Sequence, residues 1–422
     1  MARAALPMLL LSLTVLPGMS TAADAPEEAA IDLARLDASR KARQYQHPVS
    51  SRVNRYGTAA METLSGGDAE AAKVLLEKLN LRRLNPHERA QVHRLLGYMA
   101  YQAGDLELAV DRFALALDEE IFSLRDDVEL RFNIAQLHAA QSQWREVIAS
   151  LDRWALYVEQ RSPLSHYLMA IAYYQLDEPG PSILHAEKAV DLAPEPKEGW
   201  LQLLAALHVK NQDYKSAAPV LEELVMRFRK KEYWSQLSLI YGALDDFQGS
   251  LAVQQIAYLQ DFLTEDKELR RLARGYLYNE LPYPAARVLE EGIAGGAIEP
   301  DAKGYELLAN SWIAAREYDA SLEPLRQAAD LSEEGNLYVR LGQVHMQREE
   351  WSEAVRLLGK AIAKGDLKEP GNVHLLLGIS HYNDASVAHA RASFARARKH
   401  EDSRSQADLW IEHLEREAQQ AG

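Results

Sequence analysis

A recurrence of roughly 35 residues constrains this chain more than any other feature of its 422 residues. Small residues stand at Ala60, Gly97, Ala135, Ala170, Ser238, Ala273, Ala309, Gly342 and Gly378, with Leu204 completing the series, and neighbours in it lie 33 to 38 positions apart. One position earlier a large apolar residue stands in nine of the ten units: Leu96, Ile134, Met169, Leu203, Leu237, Leu272, Leu308, Leu341 and Leu377, with Ala59 as the exception. Twelve positions later comes a second small column, Ala72, Ala109, Ser182, Ser216, Ser250, Ala285, Ser321, Ala354 and Ala390, from which Val147 departs. A third, seven further on, holds at Ala116, Ala189, Ala257, Gly292, Ala328, Ala361 and Ala397 and breaks at Leu79, Trp154 and Glu223. The unit at Leu204 returns to register if its turn holds one extra residue, which aligns Ala217, Leu221 and Leu224. Two antiparallel helices approach to about 8–10 Å only where crossing side chains are small. The columns therefore predict helical hairpins, each too small to bury its apolar face alone, stacked on one another.

The turns carry their own chemistry. Gly104-Asp105, Asp213-Tyr214, Asp245-Asp246-Phe247, Glu317-Tyr318 and Glu350-Trp351 fall at one phase, where a first helix stops and a polar residue caps the second. This pattern resembles the tetratricopeptide repeat, most clearly at Leu96-Gly97 to Ala116, Trp200 to Leu224, Trp234 to Ala257 and Leu341-Gly342 to Ala361. The resemblance covers residues 53–402 as ten units and implies an all-α fold, an α-solenoid wound as a right-handed superhelix. Residues 24–52 form a polar lead-in with room for one helix, Ala30 to Gln44. Residues 403–422 hold an amphipathic helix with Leu409, Trp410, Ile411 and Leu414 that would cap the open end of the stack.

Residues 1–23 are built differently. Arg3 precedes an apolar run from Ala4 to Leu16, broken by Pro17-Gly18 and followed by Ser20-Thr21-Ala22-Ala23. That is the build of a secretory signal cut after residue 22 or 23, and the run is short of the roughly 20 apolar residues that cross a bilayer. The expected mature protein is exported to the periplasm and has no integral membrane segment. With no cysteine it has no disulfide, thiolate metal site or lipid-modified cysteine. A formal net charge of −15 argues against nucleic acid as a partner, because neutralising phosphates takes clustered Lys and Arg.

In the repeat family the groove is lined by the second, fifth, ninth and twelfth positions of each unit. The resemblance places Tyr98, Tyr101, Phe132, Leu164, Tyr167, Ile171 and Tyr174 there in the second to fourth units, and Lys267, Arg270, Arg274, Lys303 and Asn310 in the seventh and eighth. The first stripe would suit an apolar or proline-containing segment, since tyrosine offers a flat face and a hydroxyl at low entropy cost. The second would suit carboxylates, on side chains or at a partner's C-terminus.

Catalytic patterns are missing from the sequence. Among 13 histidines there is no His-Glu-x-x-His, and no Gly-x-Ser-x-Gly elbow or Gly-rich phosphate loop occurs. His374 and His381 lie seven apart with His389 beyond them, but they fall in the aromatic and apolar columns, which favours packing over metal binding. A metal-dependent enzyme is the reading of a different class; the expectation is a scaffold without catalysis or cofactor. Within the repeat family, Lys231 to Tyr241, Leu269 to Tyr276, Pro284 to Gly292, Lys303 to Trp312 and Glu369 to Gly378 resemble the periplasmic repeat proteins associated with TonB, ExbB and ExbD. The resemblance implies an accessory of the TonB-dependent system that energises uptake across the outer membrane, with TonB or ExbD as partners. Scaffolding of polysaccharide export or outer-membrane protein assembly is the alternative.

Overall fold

The computed structural model describes residues 32–421, so the signal read at residues 1–23 lies outside the described residues. The described residues are helical, with no strand among them. The chain divides into two compact units after Leu224.

In the first unit a lead-in helix, α1 (Leu33–Gln46), precedes paired helices: α2 (Ser51–Ser65) with α3 (Ala69–Glu77), α4 (Pro86–Gln102) with α5 (Leu106–Leu117), α6 (Leu124–Ala140) with α7 (Trp144–Ala155), α8 (Pro163–Gln175) with α9 (Pro179–Asp191), and α10 (Glu198–Lys210) with α11 (Tyr214–Phe228). In the second unit α12 (Lys231–Ala243) pairs with α13 (Phe247–Leu259), α14 (Asp266–Tyr278) with α15 (Pro282–Ala294), α16 (Ala302–Ala314) with α17 (Tyr318–Leu331), α18 (Asn336–Gln347) with α19 (Trp351–Lys364), and α20 (Pro370–Asn383) with α21 (Val387–Ala397), before α22 (Arg404–Ala421). Ten hairpins are thus present, as the columns required.

Each hairpin turns through three residues whose middle one has positive φ: Gly67, Gly104, Ser142, Asp177, Gln212, Asp245, Glu280, Arg316, Glu349 and Ala385. The left-handed residue lets the next N–H reach back five positions, as from Asp105 to the Ala100 carbonyl and from Gln212's neighbour Asp213 to that of His208. This satisfies carbonyls that the helix end would otherwise leave bare. Asp68, Asp105 and Asp246 then cap the second helices through the N–H groups of Ala71, Leu108 and Gly249.

These turns correct the sequence register in one unit. The turn between α10 and α11 has the same three residues as the others, so it holds no extra one. The crossing residue nine positions before α11 is Ala205, not Leu204, and Ala217 rather than Ser216 occupies the second column; both alanines are buried.

The columns form the core. Ala60 lies with Leu76, Ala135 with Leu151, and Ala309 with Leu325, each pair sharing one apolar cluster. Gly97 and Gly378 instead face the rings of Phe113 and Phe394. At two of the serines in the second column the hydroxyl donates to the crossing residue's carbonyl, Ser182 to Ala170 and Ser250 to Ser238, whereas Ser321 donates to the Tyr318 carbonyl within its own helix. At the end of the second unit α22 lays Trp410 flat on Phe394, with centroids 5.3 Å apart, and buries Ala407 and Leu414. It covers an apolar face that no further hairpin covers.

Candidate interaction surfaces

The aromatic residues predicted to line a groove are mostly engaged within the protein. Tyr98 is half-buried with its ring edge-on to Phe113 at 5.1 Å, and burial pushes its phenol above the usual range. Phe132 packs on Trp154 at 5.3 Å, and Tyr167 stacks on Trp200 at 5.3 Å, joining α8 to α10. Tyr174 lies under the Lys210 ammonium at 5.0 Å, itself paired with Asp177 at 2.8 Å. Leu164 and Ile171 are half-buried, which leaves Tyr101 as the exposed member of the set.

The basic set divides into two kinds. Arg270 is 8% exposed; it pairs with Asp266 at 2.8 Å and Asp301 at 3.0 Å and donates to the Glu299 carbonyl, so it ties α14 to the start of α16. Those partners hold the guanidinium above its ordinary pKa against the desolvation that would lower it. Asn310 is half-buried and accepts from Arg340. Lys267, Arg274 and Lys303 are exposed, and among the described residues none forms an ion pair.

Two further residues join them. Arg271 and Tyr278 are exposed on α14, so Lys267, Arg271, Arg274 and Tyr278 follow one helical face at i, i+4, i+7 and i+11. Tyr278 meets Phe247 at 4.7 Å. Helical spacing in the sequence carried this signal, whereas the family's groove positions skip Arg271 and select the buried Arg270.

Six histidines meet in pairs. His381 stacks on His389 at 5.2 Å and His374 on His400 at 6.0 Å; burial pushes both α20 rings below the usual imidazole range. Between α8 and α9 the Nδ1 atoms of His166 and His185 lie 2.8 Å apart, and burial pushes each ring to about 4. Among the described residues no group of three His, Asp or Glu side chains converges as a metal site would require. Nor is any described helix long and apolar enough to cross a membrane. Because α3 stops after nine residues, a cleft of about 450 Å³ opens over Leu76, Val92 and Met99 beside α4.

Ten in-register hairpins with small residues at each crossing, and a closing helix, are on view. Each unit has the hairpin packing of a tetratricopeptide-type fold. No family model matches the chain, and no curated protein does. Among solved structures, a MamA protein is 18% identical over 42% of this chain and 94% of its own, at a TM-score of 0.35. A tetratricopeptide repeat protein from Parabacteroides merdae is 16% identical over 69% of this chain and 99% of its own, at 0.35. Pseudomonas aeruginosa PilF is 17% identical over 49% and 91%, also at 0.35. Likeness at this level says nothing of function, and the fold rests on the chain's own turns and crossings.

Proposed function

We propose that this chain is a non-catalytic protein-interaction scaffold that holds an acidic, extended segment of a partner against the exposed face of α14 and the start of α16. One observation carries the reading: in a chain of net charge −15, Lys267, Arg271, Arg274 and Lys303 stand exposed without an ion pair among the described residues. Several other arginines of the second unit are spent internally, among them Arg287 on Glu290 and Glu291, Arg340 on Glu306, and Arg398 on Asp408. Unspent cations ending at the Tyr278–Phe247 aromatic pair suit a segment that carries carboxylates and an aromatic or apolar residue.

The finer reading is a periplasmic accessory of the TonB-dependent system, with TonB or ExbD as the partner. Its support is the likeness of residues 231–241, 269–276, 284–292, 303–312 and 369–378 to the proteins of that system, together with the export signal read at residues 1–23. A photo-crosslinking residue at Arg271, Arg274 or Tyr101, with exposed Gly359 as control, tests both levels in living cells. Capture of TonB or ExbD from α14 but not from Gly359 supports the whole reading. Capture of an export or assembly component keeps the surface and replaces the system, and equal capture from Gly359 refutes the surface.

A further inference from the structure

The lead-in helix α1 does not cover the open face of the first hairpin. It lies instead along the edge where the hairpins of the first unit join, and polar atoms make its hold. Asp37 accepts from the Leu124 N–H at 2.8 Å, Arg43 donates to the Glu119 and Glu120 carbonyls at 3.2 and 2.9 Å, and Gln44 donates to the Ile121 carbonyl at 2.8 Å. Between them Arg40 reaches Asp127 at 3.1 Å. These four residues follow one face of α1, and Arg40 is its one buried residue.

The receiving edge is shaped for guanidinium. It offers the Glu119 and Glu120 carbonyls and the Asp127 carboxylate, which is 1% exposed, while the adjoining Ile121 carbonyl and Leu124 N–H take Gln44 and Asp37. Arg131 already holds Asp127 from the other side at 2.5 Å, with its guanidinium 4.1 Å over the Tyr157 ring, while Arg40 stands 5.6 Å from that ring. Lysine, a point charge with no planar fork, would not match this arrangement. Yet α1 fits it imperfectly: Arg40 is 4% exposed, and its Nε and Nη1 have no acceptor. A buried guanidinium short of acceptors forfeits much of what its ion pair supplies.

We propose that the edge formed by residues 119–127 and Tyr157 is a docking site for an arginine-bearing helix. In the isolated chain α1 fills it as a detachable strap, and a partner helix presenting Asp, Arg, Arg and Gln in the α1 spacing displaces it. The occupant is identified by charge complementarity and by the one helix already seated there. Detachment follows from composition. No apolar side chain of α1 is fully buried, Leu33 and Leu36 being half-buried, so the hold on its 14 residues rests mainly on polar contacts.

The test uses the full chain and a labelled peptide of residues 32–47, read by fluorescence anisotropy and by hydrogen exchange of α1. In Arg40→Ala/Arg43→Ala, α1 should lose protection while α4 to α7 keep theirs. The vacated chain should then bind the peptide at least tenfold more tightly than the wild type does. Binding should weaken with salt, fall at least tenfold when Asp127→Asn is added, and fail for a peptide with Arg40 and Arg43 changed to lysine. Asp37→Ala/Arg43→Ala, which changes no buried side chain, provides the same readout if loss of Arg40 disturbs folding. A freed α1 with no peptide binding, binding indifferent to Asp127→Asn, or α1 protection undiminished in both variants would each overturn the proposal.

Discussion

Gly97→Ala should destabilise the second hairpin, although alanine is the better helix former. A Cβ at this position would lie 2.4 Å from both Cδ1 and Cε1 of Phe113, whereas ordinary carbon contacts begin near 3.5 Å. The ring would have to retreat by about 1 Å, and it is 2% exposed with Tyr98 edge-on against it. Overpacking of this kind costs about 1–3 kcal/mol, against about 0.8–1 kcal/mol gained in helix propensity, leaving a net loss of up to about 2 kcal/mol. Phe113→Leu alone should cost roughly 1–2 kcal/mol through lost ring contacts. The double variant recreates the alanine–leucine pair that the protein uses at Ala60/Leu76, Ala135/Leu151 and Ala309/Leu325, and should be at least 1 kcal/mol better than the sum of the singles. Gly359→Ala is the control: it is exposed, nothing stands within 4 Å of its added Cβ, and it should stabilise by roughly 0.5–1 kcal/mol. Urea titrations give the four stabilities, and hydrogen exchange of α4 and α5 localises the effect, because stacked hairpins need not unfold as one unit. If Gly97→Ala stabilises as Gly359→Ala does, or the double variant is additive, steric closure does not govern the crossing.

Further expectations concern the turns, acid and charge. Ala385 holds φ +56 without glycine's freedom, so Ala385→Gly should raise stability by about 1 kcal/mol in a thermal melt, and Gly104→Ala, at φ +81, should lower it by a similar amount. His166 and His185 titrate near 4 when folded and near 6.5 when unfolded, so the unfolded chain binds more protons between those values. Their contribution is complete above about pH 6.5 and is lost as pH falls towards 4; with two rings sharing one proton and partial solvent access, the pair should account for roughly 2 kcal/mol. Hydrogen exchange of α8 and α9 in the wild type and in His166→Gln/His185→Gln should show the wild type alone weakening steeply across that window. Lys267→Glu/Arg271→Glu/Arg274→Glu should leave the circular dichroism melt within a few degrees of wild type, since no described ion pair is lost, yet abolish partner capture at α14.

What was legible in the sequence was whatever repeats. Ten crossings recur, and each demands a small residue, so the columns reveal hairpin number and, in all units but one, phase before any coordinate is known, while the closing helix shows in its own apolar residues. The misplaced unit shows where that logic weakens. Its middle turn residue is Gln212 at φ +58, which carries no glycine signature, and Leu204 beside Ala205 offers a plausible but wrong column. The groove residues were half legible: spacing finds the face of a helix, but not what lies against it.

Tertiary structure alone decided which side chains were already spent. Tyr167 finds Trp200 and Arg270 finds Asp301 across about 30 residues, while Arg40 finds Asp127 across 87, and no periodicity encodes those meetings. The sequence by itself determined the hairpins, because turn and crossing geometry depend on residues close along the chain. Which charges and rings remain open to a partner was settled by the stacking of one hairpin on the next, since burial depends on neighbours that only the folded chain brings near.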